Sequence, residues 1–258
     1  GAYAIDPEKL ESFPPMLICN TSLHEFKINQ KGKEYLYSKG FSYIADNLQN
    51  QDWVERNLPD ILTLLSQISK ITLHDIEAFF SVLEKMGVYY AEEMLLPDSD
   101  FLNIIINSPY KSRTKLWVDL SNYKNFNREE QKHIEGIKLF TDGAIGAKTA
   151  ALEEKYLTGE KGFLLYTNDE FTEKLTQAFS YGKKIAIHAI GELAIEQIID
   201  CLKNFTSKKY DGLIRIEHAQ FITEMQAYEL KKMGITLSMR IPGKVYHPFQ
   251  RKYTSNSI

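Results

Sequence analysis

Three apolar stretches of this 258-residue chain each carry one polar residue of a kind that can do chemistry. Ile137-Lys138-Leu139-Phe140 sets a lysine among large apolar side chains. Ile185-Ala186-Ile187-His188-Ala189 runs into a histidine, and Arg215-Ile216-Glu217-His218-Ala219 does so again. Imidazole nitrogen is a borderline ligand that suits zinc and related divalent ions, so two histidines at equivalent places on successive strands can converge on one metal. A single histidine at a strand end is more often a hydrogen-bonded core residue; the pair, each followed by alanine, is what points to metal. Lys138 taken alone reads as a lysine with a buried stem and an amine at the surface. Its flanks leave little room for that, and an unpartnered buried ammonium is costly, so a paired or modified lysine fits better.

The elements that must position these residues follow a rhythm. Ile76, Phe79, Phe80, Leu83 and Met86 recur at helical spacing, Gly87 stops the helix, and Val88-Tyr89-Tyr90-Ala91 is rich in strand formers. The pattern returns with Phe171, Leu175, Ala178 and Phe179 before Gly182, with Ile195, Ile198, Ile199 and Leu202, and with Ala227, Leu230 and Met233 before Gly234. It predicts strands near 88–94, 114–120, 136–141, 184–189, 213–218 and 235–239. Alternating helices and short apolar strands imply parallel βα units in one α/β domain. In such a barrel, functional groups collect at the C-terminal ends of the strands. The first 70 residues are less regular: Ile61, Leu64, Leu65 and Ile68 suggest one helix, and Pro14 to Ile18 a short strand.

Composition removes several function classes. Hydrophobic residues make up 43% and charged residues 25%, as in ordinary folded domains, and the formal net charge of −3 comes with no basic stripe for nucleic acid. No apolar run is long enough to cross a membrane, no signal peptide is visible, and Cys19 and Cys201 form neither a ligand-type pair nor a disulfide framework. The expectation is a cytoplasmic protein with no nucleic-acid or membrane partner, acting on a small molecule, with homo-oligomers left open.

Lys138 to Leu152 reads Lys-Leu-Phe-Thr-Asp-Gly-Ala-Ile-Gly-Ala-Lys-Thr-Ala-Ala-Leu. This closely resembles the segment K-x-x-x-D-G-(S/A)-(L/I)-G-(S/A)-(R/K)-T-A-x-L of the amidohydrolase superfamily, in the branch called amidohydrolase family 3. His188-Ala189-Ile190-Gly191 is similar to its H-A-(I/N)-G motif and Arg215 to Gln220 to its R-I-E-H-(A/C)-Q motif, in the same order and spacing. Weaker similarity covers Ser22 to Asn29, where the family has a His-containing loop and this chain has His24. The resemblance spans roughly residues 15 to 239 and extends to N-substituted formamide deformylase-type enzymes.

The resemblance implies a distorted (β/α)8 TIM-like barrel beside a small β-sandwich, with zinc or another divalent metal at the C-terminal mouth. Lys138, carboxylated on its amine, would bridge the metals, with His188 and His218 as further ligands and catalytic residues. His24 would reach the substrate side by the same resemblance, and Asp142 and Gly143, in a loop at a strand mouth, are expected from that position to line the substrate pocket. The activity implied is hydrolysis of a non-peptide C–N bond, such as an amide or N-formyl group. Asp142 also reads simply as a residue that fixes its loop through backbone N–H groups. Glu217 is expected on the strand face opposite His218, paired with Arg215.

The chain departs from the family pattern. No His-x-His occurs in it. The family's late aspartate is expected beyond residue 239, and Arg240-Ile241-Pro242 replaces the usual Gln-Pro. Residues 1–239 therefore read as an incomplete amidohydrolase barrel without its first and last strands and without the β-sandwich, and 240–258 as an irregular tail. The rival expectation is a catalytically inactive barrel fragment serving as a structural or binding module. A Schiff-base enzyme built on Lys138 ranks below both, because it leaves the histidine motifs unexplained.

Overall fold

The computed structural model describes residues 6–20, 23–206 and 209–239. The tail read above as irregular, with His247, lies outside the described residues.

The N-terminal part forms helix α1 (Pro7–Glu11), an antiparallel pair β1 (Leu17–Cys19) and β2 (Phe26–Ile28), then α2 (Gln30–Ser38), α3 (Ser42–Asn47), α4 (Gln51–Arg56) and α5 (Leu58–Ser69). Sequence periodicity reveals only the last of these helices. The other four span five to nine residues, too short for an apolar repeat to register, and local caps define several of them. Asn29, fully buried, accepts the Gly32 N–H at 2.8 Å to start α2 and donates its amide to the carbonyls of Leu10, Phe13 and Pro14.

The remainder runs α6 (Leu73–Lys85), β3 (Ala91–Glu93), α7 (Ser99–Ile106), β4 (Thr114–Asp119), α8 (Arg128–Gln131), β5 (Ile134–Phe140), α9 (Asn168–Ser180), β6 (Lys184–Ala189), α10 (Glu192–Lys203), β7 (Ile214–His218), α11 (Glu224–Lys232) and β8 (Thr236–Ser238). Strands β3 to β8 lie side by side in chain order, all parallel. Each of the six anticipated strands is present, although β3 keeps only three residues because Tyr89 and Tyr90 stay largely exposed before it. Gly87, Gly182 and Gly234 follow α6, α9 and α11 with φ of 76°, 62° and 70°, the left-handed stop that glycine permits.

Side chains alternate across the strands. Ile137, Leu139, Ile185, Ile187, Ile214 and Ile216 join Phe171, Leu175, Ile195 and Ile198 of the helices in the main core. The alternate set, Asp119, Lys138, Phe140, His188, Arg215 and Glu217, shares the other face by register. That inner face is concave. Glu92 on β3 and Arg215 on β7 make an ion pair of 2.7 Å, although four strand spacings separate β3 from β7. In a flat sheet that gap would be roughly 19 Å, from a spacing of about 4.8 Å per strand. The six strands therefore curl into a parallel half-barrel. A second core built from β2 and helices α2 to α5, including Phe26, Leu36, Val54, Leu58, Ile61 and Leu64, packs against Leu95 and against Phe140 on the inner face.

Helix α6 departs from its anticipated packing. Ile76 and Phe80 are buried, but Phe79 and Met86 of the same apolar set are exposed.

Leu175 is fully buried between α9 and the sheet, whereas Met225 is 81% exposed. Leu175→Ala should lower stability by about 2–5 kcal/mol and Met225→Ala by no more than about 0.5 kcal/mol. Urea denaturation midpoints check the contrast.

Candidate metal centre and the loop that holds it

The site forms where β5, β6 and β7 end. Lys138 lies in register with Asp119 and Ala186, and Phe140 with His188. Lys138 is 3% exposed, with its amine 5.1 Å from the centre of the Phe140 ring. Burial pulls the amine down to about 8; Glu217 and Asp119 pull it back up, and Arg215 pushes it further down.

His188 is buried, and its Nε2 lies 2.9 Å from the Gly143 carbonyl oxygen. A carbonyl only accepts, so Nε2 carries the proton and Nδ1 keeps the lone pair. Burial first, then the nearby His218, Lys138 and His24, hold its pKa well below the ordinary histidine value, against the pull of the Gly143 bond. The ring is therefore neutral near pH 7. Its 3.6 Å approach to Asp142 Oδ1 is accordingly not an ion pair, since the one N–H is engaged by Gly143.

His218 reaches the same place by a different route. It pairs in register with Ala189, one residue past His188, so strict alternation would turn it toward the helices. Instead His218 and Ala219 adopt φ of 73° and 43°, and the rings of His188 and His218 stand 4.8 Å apart, edge to face. Left-handed backbone at a non-glycine residue costs on the order of 1–3 kcal/mol and clusters at functional sites. The Ala219 N–H, bonded to the Ala189 carbonyl at 3.0 Å, holds the bend. The sequence-based placement of Glu217 on a face away from the site needs correction. Glu217 is in register with His188 on the inner face, and its contact with Arg215, at 2.5 Å, is partly exposed there.

Asp142 has no exposed surface, and its carboxylate accepts the N–H groups of Ala151, Ile190 and Gly191 at 3.0, 3.0 and 2.8 Å. Burial lifts its pKa to about 7, while those three donors oppose the rise. Gly143, next in the chain, is tightly enclosed. A Cβ there would lie 2.0 Å from Thr149 Oγ1 and 2.6 Å from a Glu55 carboxylate oxygen. His24, on the loop between β1 and β2, has its ring centre 5.8 Å from that of His188, and Leu23 before it has φ of 62°. The structure thus brings Lys138, His188, His218, His24, Asp142 and Gly143 to one region. His74 and His133 are exposed and lie outside this cluster.

Glu55 is the residue that motif reading missed. It is 4% exposed and contacts both His24 and Thr149. Its neighbours Asp52 and Arg56 make α4 read as a charged surface helix. The one local hint is that Glu55 follows the buried Val54 rather than falling on the solvent side.

The donor set suits a borderline divalent ion in kind: a neutral imidazole with one N–H anchored on a carbonyl, a second imidazole beside it, and a buried amine of lowered pKa. Among the described residues, no group of three or more His, Cys, Asp or Glu is arranged to hold a metal ion.

Lys138 yields a prediction for the metal-free chain. Its amine titrates near 8 when folded, against 10.5 when exposed. Below pH 8 the fold must bury a charged ammonium. Between 8 and 10.5 the unfolded chain binds more protons than the folded one, so stability rises with pH. Lys138→Met should therefore be more stable than the parent at neutral pH, by on the order of 2–3 kcal/mol. The gap should shrink as pH rises through 8 and close near 10.5. Urea midpoints across that range test it, and a gap independent of pH would remove ammonium burial as the cause.

Known proteins resemble this chain in sequence and in fold. A Bacillus subtilis (strain 168) protein named "Putative amidohydrolase YtcJ" is 30% identical over 108 residues, covering 40% of this chain and 20% of that protein. LONG AFTER FAR-RED 3 of Arabidopsis thaliana is 30% identical over 129 residues, covering 48% and 22%. This chain thus spans about a fifth of each of these relatives. Two solved structures share the fold: an uncharacterized metal-dependent hydrolase of Pyrococcus horikoshii OT3 (TM-score 0.59, 22% identity, 87% of this chain and 48% of that one) and one of Pyrococcus furiosus (0.56, 21%, 84% and 48%). The family profile described as "Amidohydrolase family" matches residues 100–252, more than half of the sequence, and the chain belongs to that family.

Proposed function

We propose that the chain forms the lysine and histidine side of the active site of a metal-dependent hydrolase that cleaves a non-peptide C–N bond, such as an amide or N-formyl group, in a small molecule. The observation that carries this reading is the pairing of His188 with His218. One ring is neutral with its N–H anchored on Gly143, and the other is brought beside it by a backbone bend. Family membership and the metal-dependent hydrolase neighbours support it.

In this reading Lys138, His188 and His218 hold zinc or a related divalent ion. Such an ion supplies Lewis acidity and a water acidic enough to act as a nucleophile near neutral pH. The protein's own contributions follow from the contacts above. The Gly143 carbonyl holds the proton of His188 at Nε2, which leaves Nδ1 as the donor atom. An amine at about 8 gives Lys138 an appreciable neutral fraction near neutral pH, the form needed for carboxylation. Asp142 clamps the loop and, with Gly143, places it against the substrate side, where His24 offers a ring nitrogen. The two cysteines are free, which suits a cytoplasmic setting, and among the described residues no helix is long and apolar enough to cross a membrane.

A second reading, a barrel piece with a structural or binding role and no metal, is favoured by the absence of a complete three-residue His, Cys, Asp or Glu cluster among the described residues. Metal analysis separates the two. The hydrolase reading expects zinc or a related ion in the protein that contains this chain, and the loss of both metal and turnover on His188→Ala or His218→Ala. Retained turnover in either variant, or a metal-free parent that still hydrolyses its substrate, would overturn it.

A further inference from the structure

We propose that Glu55 is a positioning residue of this site: one carboxylate oxygen fixes the ring of His24, and the other fixes, through Thr149 and the Gly143 backbone, the ring of His188. The inference rests on the reading of His188 as a metal ligand and His24 as a substrate-side group, and it assigns them a shared organiser.

The contacts form a continuous path. Glu55 Oε2 lies 2.6 Å from His24 Nδ1. A carboxylate accepts, so Nδ1 carries the proton and Nε2 is the nitrogen of His24 not engaged by Glu55. Glu55 Oε1 accepts from the Thr149 hydroxyl at 2.5 Å and from Gln51 Nε2 at 3.2 Å. Thr149 Oγ1 in turn accepts the Ala144 N–H at 2.9 Å, directly beside the Gly143 carbonyl that receives the His188 proton. The missing side chain at Gly143 is what lets Glu55 and Thr149 approach this closely. Two histidines from distant parts of the chain are thus held through opposite ring nitrogens, His24 through its Nδ1 proton and His188 through its Nε2 proton.

Simple docking of α4 onto the half-barrel would not need this arrangement. The neighbouring Val54, Leu58 and Ile61 already bury apolar surface in the second core. A buried carboxylate is costly unless well hydrogen-bonded, and here three donors converge on it. An amide is a poorer replacement. Glutamine has one acceptor oxygen where the carboxylate has two, so its NH2 faces either the His24 N–H, which it cannot accept, or the Thr149 hydroxyl, which must then turn its own proton away, and the negative charge that strengthens both bonds is lost.

The test reads ring protons in the 15N-labelled, metal-free chain by long-range 15N–1H NMR, with histidines assigned by single replacements. The parent should show His24 protonated on Nδ1 and His188 on Nε2, both in slow exchange with water. Glu55→Gln should accelerate exchange of the His24 Nδ1 proton at least tenfold or convert the ring to a tautomer mixture. Thr149→Val should release the His188 Nε2 proton while leaving His24 unchanged, and Thr149→Ser should restore the parent pattern. A folded Glu55→Gln chain with both rings unaltered overturns the proposal. So does a Thr149→Val chain whose His188 proton stays protected, which decides the matter if Glu55→Gln does not fold. Failure to bind metal would strike the proposed function alone, because these protons are read without it.

Discussion

A carboxylate sealed from water, that of Asp142, ties the loop after β5 to the first residues beyond β6 and to Ala151 farther along its own loop. Three backbone N–H groups that would otherwise be buried without partners converge on it, and each such loss would cost about 1–3 kcal/mol. Much else depends on this clamp. It sets where the Gly143 carbonyl stands, and that carbonyl determines which nitrogen of His188 carries the proton. It also sets where Thr149 meets Glu55, and so how the N-terminal helices join the mouth of the half-barrel.

Around the clamp, the inner face of the sheet concentrates groups that a core would exclude. His218, Lys138 and His24 stand close to His188, and their repulsion adds to burial in keeping its ring uncharged. Nearby, Arg215 bridges Glu92 and Glu217 across the concave face. On the helix-facing side of β5, β6 and β7, Ile137, Leu139, Ile185, Ile187, Ile214 and Ile216 are buried aliphatic side chains. One sheet therefore separates two tasks by the period of two of a strand: stability on the outer face, chemistry on the inner one.

Much of this was legible in the residues. The βα order, the six strands and the glycine stops follow from apolar spacing, which is local and survives without tertiary context. The chemically unusual residues Lys138, His188 and His218 stood out because they interrupt apolar runs at repeating places. The short helices before residue 58 were not legible, since five to nine residues hold too few turns for a repeat. Glu55 was hidden for a related reason: a lone acid in a charged helix resembles any solvated surface acid.

By itself the sequence determined which groups are available for chemistry and the order of the strands that carry them, because both depend on residues close together in the chain. Only the tertiary structure decided how those groups meet. The contacts of Glu55 with His24 and Thr149 join residues 31 and 94 positions apart, and the pair that reveals the curl of the sheet joins residues 123 apart. The backbone reversal at His218 brings its ring to His188 against the alternation that the strand pattern predicts. Long-range packing and backbone strain settle such meetings, and a local pattern of residue types contains neither.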